Sequence, residues 1–364
     1  MRIAFYGSSL LSSYWNGAAT YYRGMLADLA RRGHRIAFYE PDAFDRQQHR
    51  DIEPPNWAEV QVWPATDLGL RQVIAEAASA DVVVKASGVG VYDRELLEGV
   101  MAAAHPEAIR IFWDVDAPAT LAELGAAPDH PLRRVLPGLD LVLTYGGGPP
   151  VVEAYEGFGA RRCVPVYNAL DAATHHPVPP DPHFAADLSF LGNRLPDREV
   201  RVEEFFLRPA TMLPDQRFLI GGNGWRDKPM PPNVRHLGHV YTRDHNAFNT
   251  SSLAVLNIAR DSMAAVGYSP ATRVFEAAGA GACLITDAWI GLDLFLRDGK
   301  EVLVVRDGND VMQHLRDLTP ERARAIGEAA RARILAEHTY SRRGAAVDAL
   351  LREEAARKRE RSAA

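Results

Sequence analysis

The apolar positions of the chain fall into two successive alternations of short buried runs and longer runs with helical spacing. Ile3-Ala4-Phe5-Tyr6 is apolar throughout, the pattern of a strand covered on both faces. Tyr22, Met25, Leu26 and Leu29 then recur with helical spacing over 21–32, and Gly33 stands where a helix C-cap belongs. Residues 35–40 return to a strand pattern. A strand, a helix and a strand in that order predict a parallel pair. Three further strands are expected at 81–86, 109–113 and 139–144, and a short one at 162–167. The first three run into polar or glycine-rich turns: Ser87-Gly88, Asp114-Val115-Asp116, and Tyr145-Gly146-Gly147-Gly148.

The second alternation places strands at 188–191, 217–220, 234–237, 253–258, 283–287 and 302–305. Helices are expected over about 198–207, 272–278 and 319–338, with a last one after 343. Between the two lies 168–187, rich in proline and histidine, where composition shifts. The pattern therefore predicts an α/β chain of two Rossmann-like parallel-sheet domains facing a central cleft. They are expected at 1–170 and 188–340, with 171–187 as linker and a closing helix, 341–364, packing back toward the first domain.

Composition narrows the picture. A chain of 364 residues suits two domains of ordinary size. The net charge of −6 gives no footprint for a polyanion, so a nucleic-acid partner is not expected. Cys163 and Cys283 sit in apolar runs and read as buried thiols in a reducing compartment. The first residues lack the basic start and long apolar core of a signal peptide, and no run approaches a membrane span. A cytoplasmic location is expected. The mixed charge of 352–364 leaves room for no more than a peripheral contact with an anionic membrane face.

In a parallel sheet the loops after the strands gather along one edge, where ligands bind. The most informative stretch is 269–287. Thr272, Arg273 and Glu276 lie on a short helix, Gly279-Ala280-Gly281-Ala282 breaks it, and a buried strand follows. Arg273 and Glu276 share a helix face, and an ordinary surface ion pair accounts for those two residues equally well. Other candidates after strand ends are Gly192, Asn193 and Arg194, then Gly222 and Asn223, then Asn257 and Arg260. A guanidinium suits phosphate because it is always charged and donates in a fork. A carboxylate such as Glu276 suits ribose hydroxyls. Asp114 and Asp116 are candidate bases, against an alternative as a helix N-cap with its neighbour ahead of Pro118. Ser8, Asn16, Gly17, Tyr145 and Gly146 form a possible acceptor or phosphate loop. Tyr14, Trp15, Trp113 and Tyr145 can stack on an acceptor, although aromatic rings more often pack a core. The glycines after the first strand do not match a dinucleotide fingerprint, so a nicotinamide site is not expected.

These segments together resemble the two-domain GT-B glycosyltransferases, and in particular the bacterial CgeB-like (spore maturation protein) family. The matching pieces are Asn168-Ala169-Leu170-Asp171 with His176-Pro177, Ser189-Phe190-Leu191-Gly192-Asn193-Arg194, and Leu256-Asn257-Ile258-Ala259-Arg260. Further pieces are Arg273-Val274-Phe275-Glu276-Ala277 with Gly281, Gly299-Lys300-Glu301-Val302, and Thr339-Tyr340-Ser341 with Arg343. The resemblance implies transfer of a sugar from a nucleotide-diphosphate donor to a hydroxyl of a glycan, protein or small molecule, with no cofactor and no bound metal. It implies that Glu276 holds the donor ribose and that Arg194, Arg260 and Arg273 neighbour the diphosphate. One position departs. Many retaining relatives carry two glutamates seven residues apart, and here Tyr268 stands at the first place. That leaves retention or inversion open; Asp114 or Asp116 as base would suit inversion. A nucleotide-sugar epimerase or hydrolase, and a non-catalytic nucleotide-sugar-binding protein, are the alternatives.

Overall fold

The computed structural model describes residues 1–14 and 16–363; Trp15, one of the stacking candidates, lies outside the described residues. The chain forms two compact units, Met1–Tyr167 together with Tyr340–Ala364, and Asn168–Thr339.

The first unit is built on seven strands: β1 (Arg2–Tyr6), β2 (Arg35–Asp42), β3 (Ala58–Pro64), β4 (Val82–Ala86), β5 (Ile109–Asp114), β6 (Leu141–Thr144) and β7 (Cys163–Pro165). Their order is β3-β2-β1-β4-β5-β6-β7 and every pairing is parallel. The direction of winding reverses between β1 and β4, so the loops after these two strands flank the crevice typical of open α/β sheets. β3 and the helices Asp67–Ala75 and Asp93–Ala103 add to the elements read from the pattern. The helix Tyr340–Ala363 packs on the helix Ala19–Arg31. The approach is close enough to require glycine: a Cβ at Gly24 would lie 2.1 Å from the Tyr340 ring, and one at Gly344 2.1 Å from the Asp28 carboxylate. His34 Nε2 meets Asp348 Oδ1 at 2.9 Å, and Lys358 Nζ meets Asp140 at 2.8 Å.

The second unit holds β8 (Ala186–Leu191), β9 (Phe218–Gly221), β10 (Val234–His236), β11 (Ser252–Asn257), β12 (Leu284–Asp287) and β13 (Leu303–Val305). The order is β10-β9-β8-β11-β12-β13, again parallel throughout. Phe190, Ile220, Leu256 and Ile285 form its core with Phe206 and Trp225. The proline-rich stretch is folded onto this unit. Asn168 Nδ2 donates to the Pro270 carbonyl at 3.0 Å, Leu170 N–H donates to the His338 carbonyl at 2.8 Å, and Phe184 packs with Leu219, Val240 and Phe248. Its prolines, Pro177, Pro179, Pro180 and Pro182, are exposed, and the stretch is anchored through the buried His175 and Phe184. Among the described residues no helix is long and apolar enough to cross a membrane.

Candidate functional site

The ends of β8 and β9 are laced together before any ligand arrives. Gly192 N–H donates to the Gly221 carbonyl at 2.9 Å, and the Gly192 carbonyl accepts the Trp225 indole N–H at 2.7 Å. Gly222 has φ +122°, and a Cβ there would stand 2.3 Å from the Gly192 carbonyl oxygen, so the turn accepts only glycine. Asn193 Oδ1 accepts the Asn223 N–H, and the Asn223 carbonyl accepts the Arg194 N–H, both at 2.9 Å. The Asn193 side chain and the Asn223 backbone are thus occupied in shaping the loop.

Of the three arginines expected beside a diphosphate, two are neutralised by carboxylates. Arg194 pairs with Glu199 at 2.8 Å and Asp227 at 3.1 Å, and these bonds raise its pKa above the ordinary value. Arg260 pairs with Asp197 at 2.8 Å. Arg273 differs. It makes no ion pair among the described residues, Glu276 included, so the surface-pair alternative does not hold. Its Nη1 lies 3.4 Å from Asn257 Oδ1, and Asn257 Nδ2 is in turn fixed on Thr286 Oγ1 at 3.0 Å. The guanidinium sits 5.1 Å from the centre of the Phe190 ring.

Its partner is a residue that the sequence pattern leaves unmarked. Arg198 is 9% exposed, lies 5.5 Å from the same ring centre, donates through Nη2 to the Asn193 carbonyl, and has no partner at Nε. A Cβ on Gly192 would be 2.9 Å from Arg198 Nη2 and 3.1 Å from Arg273 Nη2, so the two guanidinium groups converge at that glycine. Burial, then the charge of Arg198, pushes Arg273 down to about 9; burial pushes Arg198 down to about 10. Both shifts express positive charge held out of water, offset only in part by Asp197 and Asp287 for Arg198 and by Glu276 for Arg273, with no ion pair to either arginine among the described residues. An anionic ligand at Gly192 would supply it. Arg198 begins a polar helical turn, Pro196–Val202, whose sequence reads like any solvated helix start.

Thr272 opens the helix Thr272–Gly279, whose N-cap residue Ala271 offers no side-chain cap. One turn in, the Glu276 carboxylate is 14% exposed and accepts no hydrogen bond among the described residues; His175 Nε2 lies 3.8 Å from it. His175 is 2% exposed, with neither ring nitrogen bonded. His245 has Nε2 3.3 Å from the Val240 carbonyl and Nδ1 without a partner. Burial lowers the His245 pKa, opposed in part by Glu276. Asn246 holds the His175 loop by accepting the His176 N–H at 3.2 Å and donating to the Thr174 carbonyl at 2.9 Å. Tyr268, at the place of the expected first glutamate, has φ +49° and donates its N–H to the Ile290 carbonyl at 2.6 Å. Its ring lies where a side chain on Gly291 would stand.

In the first unit the structure separates the two aspartates. Asp114 is fully buried, and its carboxylate accepts from Ser87 Oγ at 2.7 Å, Asp116 N–H at 2.9 Å, Thr120 Oγ1 at 3.1 Å and the Tyr155 hydroxyl. Three of these bonds end on Oδ1 and the Tyr155 hydroxyl takes Oδ2, so both carboxylate oxygens are engaged within the protein. Asp114 ties β5 to the loop and helix that follow. Asp116 stands at the N-terminus of the helix Ala117–Ala126 and is only partly buried. Ser8 Oγ donates to Asn16 Oδ1 at 3.0 Å, while Asn16 Nδ2 donates to the Ser9 and Ser12 carbonyls, so this pair closes its own turn. Gly17 is exposed, with open space where a Cβ would be. Gly146 is buried; Tyr145 is partly exposed and packs edge-on against Tyr21. Trp113 is a core residue, 2% exposed and bonded through Nε1 to the Tyr21 hydroxyl, which withdraws it as a stacking surface. Tyr14 stacks on His49 at 4.0 Å. A hollow lined by Arg31, His34, Arg35 and Trp57 lies at the opposite, N-terminal ends of the strands, away from the ligand edge.

Residues 198–351 match the family described as "Glycosyl transferase-like". No curated protein matches the chain in sequence. Solved structures match over nearly its full length. Sucrose-phosphate synthase from Thermosynechococcus elongatus aligns with a TM-score of 0.71 at 14% identity, covering 97% of this chain and 98% of that one. Anabaena HepE, solved in complex with UDP and glucose, aligns with a TM-score of 0.68 at 13% identity, covering 97% and 100%. An alpha-glucosyltransferase, solved with UDP and a 13-mer DNA containing a HMU base, aligns with a TM-score of 0.67 at 10% identity, covering 96% and 99%. The chain has the GT-B glycosyltransferase fold. It carries a glycosyltransferase-like segment that takes in Arg198, Arg273, Glu276 and the start of the last helix.

Proposed function

We propose that the chain is a glycosyltransferase that moves a sugar from a nucleotide-diphosphate donor to an acceptor hydroxyl. The observation that carries this reading is the Glu276 carboxylate, which is partly buried and accepts no hydrogen bond among the described residues, one helical turn from Arg273. A carboxylate so placed lacks donors that the ribose hydroxyls provide, and the unpaired cations Arg198 and Arg273 suit the diphosphate. Gly192 leaves room for it. As the glycosidic bond breaks, the diphosphate oxygen keeps the electron pair, and two preorganised cations stabilise that charge without a metal. The acceptor oxygen forms the new bond to the anomeric carbon and gives its proton to a base. Asp116 is the proposed base, which corresponds to inversion. Arg194, Arg260 and Asn193 shape the loop, and Asn257 aims Arg273.

UDP-sugars are the first donors to test, because HepE and the alpha-glucosyltransferase are described with UDP. A glycan, protein or small molecule is the proposed acceptor; the net charge of −6 weighs against nucleic acid. Within the GT-B class the motifs quoted above favour the CgeB-like branch, and a cytoplasmic location accords with two unpaired buried thiols. The test is incubation with a panel of nucleotide sugars. Release of nucleoside diphosphate that depends on added acceptor supports transfer. Binding without turnover of any donor overturns it in favour of a non-catalytic protein.

A further inference from the structure

His175 and His245 lie outside the donor machinery described above, yet both turn toward Glu276. One ligand atom from each of the three residues lies within 4.8 Å of the others. His175 is 2% exposed and leaves both ring nitrogens unbonded, a costly arrangement for a buried polar group that has no ligand. His245 places Nε2 against the Val240 carbonyl, which fixes the proton there and leaves the Nδ1 lone pair open. A histidine that donates one ring N–H to a backbone carbonyl and presents the other nitrogen is the usual posture of a metal ligand. Two imidazoles and a carboxylate form the three-ligand set of open zinc sites. Such an ion, with bonds of about 2.0–2.1 Å, sets its ligand atoms roughly 3.3 Å apart. His175 Nε2 and Glu276 Oε1 already stand 3.8 Å apart.

We infer that His175, His245 and Glu276 form a site for a single divalent transition cation, with Zn2+ as the best-suited probe, that shares Glu276 with the donor ribose and so excludes the donor. The sharing rests on the donor reading above; the cation site does not. The two imidazole nitrogens favour Zn2+ over Mg2+, which prefers oxygen donors and a near-octahedral shell. The ion is inhibitory in this arrangement, since it occupies the carboxylate that the nucleotide needs.

The experiment titrates Zn2+ calorimetrically into chelator-treated, nucleotide-free full-length chain in the presence of Mg2+. One ion per chain is expected. Because losing even an outer-shell partner of a metal costs about 10–100-fold, His245→Ala and Glu276→Ala should each weaken Zn2+ binding by about a hundredfold. Absence of binding, or binding that both variants retain, overturns the site. Should a variant fail to fold, Co2+ added to the unmodified chain provides a second readout. Visible bands of a nitrogen-ligated ion should saturate at one equivalent and disappear on Zn2+ addition, and their absence overturns the site. Saturating UDP should weaken Zn2+ binding about tenfold or more, and an unchanged Zn2+ affinity overturns the sharing of Glu276. UDP binding measured with chelator present tests the donor reading alone, so failure of either is distinguishable.

Discussion

Arg198 and Arg273 face one ring, Phe190, at 5.5 and 5.1 Å, and both reach Gly192 without an intervening carboxylate. Hydrogen bonds to charged groups contribute about 1.5–3 kcal/mol each. Replacing either arginine by alanine should therefore weaken binding of a nucleoside diphosphate by about 10–100-fold. The preference for diphosphate over monophosphate should shrink with it. Calorimetry with UDP and UMP checks both; equal losses for the two nucleotides would place the arginines elsewhere than the β-phosphate.

Glu276→Ala should weaken UDP binding by about tenfold or more, the range expected for a lost hydrogen bond to a charged group. A 2′,3′-dideoxy nucleotide should bind wild type and variant alike, because it has no hydroxyl to donate. Unchanged UDP affinity in the variant removes Glu276 from the ribose.

The two aspartates should part in behaviour. Asp116→Asn is expected to lower turnover by about 10²–10⁴-fold, the usual scale of general-base loss, with donor affinity intact. Asp114→Ala strips the acceptor from four donors and should lower stability by about 2–4 kcal/mol, read from chemical denaturation. Near-normal turnover in Asp116→Asn would end its assignment as base.

Burial raises Cys163 and Cys283 from an ordinary value of 9.0 to about 12 each. The folded chain thus holds these protons after the unfolded chain has begun to lose them. Their contribution to stability is full below about pH 8 and falls as pH rises from there toward 12. Neither thiol should react with an alkylating reagent at pH 8 until the chain is unfolded. Mass spectrometry of the labelled native chain checks this, and prompt labelling of either cysteine contradicts it.

Gly291 has φ +87°, and a Cβ there would stand 2.2 Å from the Tyr268 ring. Gly291→Ala should cost about 1–2 kcal/mol from the left-handed backbone alone, with the clash in addition. Pairing it with Tyr268→Gly should recover the clash but not the backbone part. Denaturation of the two single variants and the double variant measures the coupling, and strict additivity would mean that the ring does not press on the glycine.

Much of the fold was legible because its strands are buried on both faces. Val82, Val83 and Val84 in β4, or Val255 and Leu256 in β11, leave no other reading. β3 escaped for the opposite reason. It is an edge strand, Ala58–Pro64, with exposed Glu59, Gln61 and Pro64 between partly covered residues, and no apolar run marks it. In the site, Arg273 and Glu276 were visible as a pair on one helix face, but not that they stop short of an ion pair. Arg194 and Arg260 carry the same sequence signal as Arg273. Only the fold reveals that Glu199, Asp227 and Asp197 cancel two of the three charges while Arg198 takes their place. Proximity between residues as far apart in the chain as Asp197 and Arg260, or Arg198 and Arg273, is a tertiary property, and no local pattern encodes it.

The contact between Tyr268 and Gly291 also bears on how relatives of this chain would diverge. Gly267, Tyr268 and Gly291 all have positive φ, and a Cβ at Gly267 would meet Ile290 at 2.8 Å as one at Gly291 would meet the Tyr268 ring. A drift from tyrosine to a shorter residue at 268 would lift the clash at 291 and leave only the backbone constraint, whereas a bulkier residue at 291 would displace the tyrosine ring. The two positions should therefore change together across descendants. In lineages without the tyrosine at 268, position 291 should admit asparagine or aspartate beside glycine, the residues that tolerate its left-handed backbone, a signature that a set of related sequences can register without any enzyme being assayed.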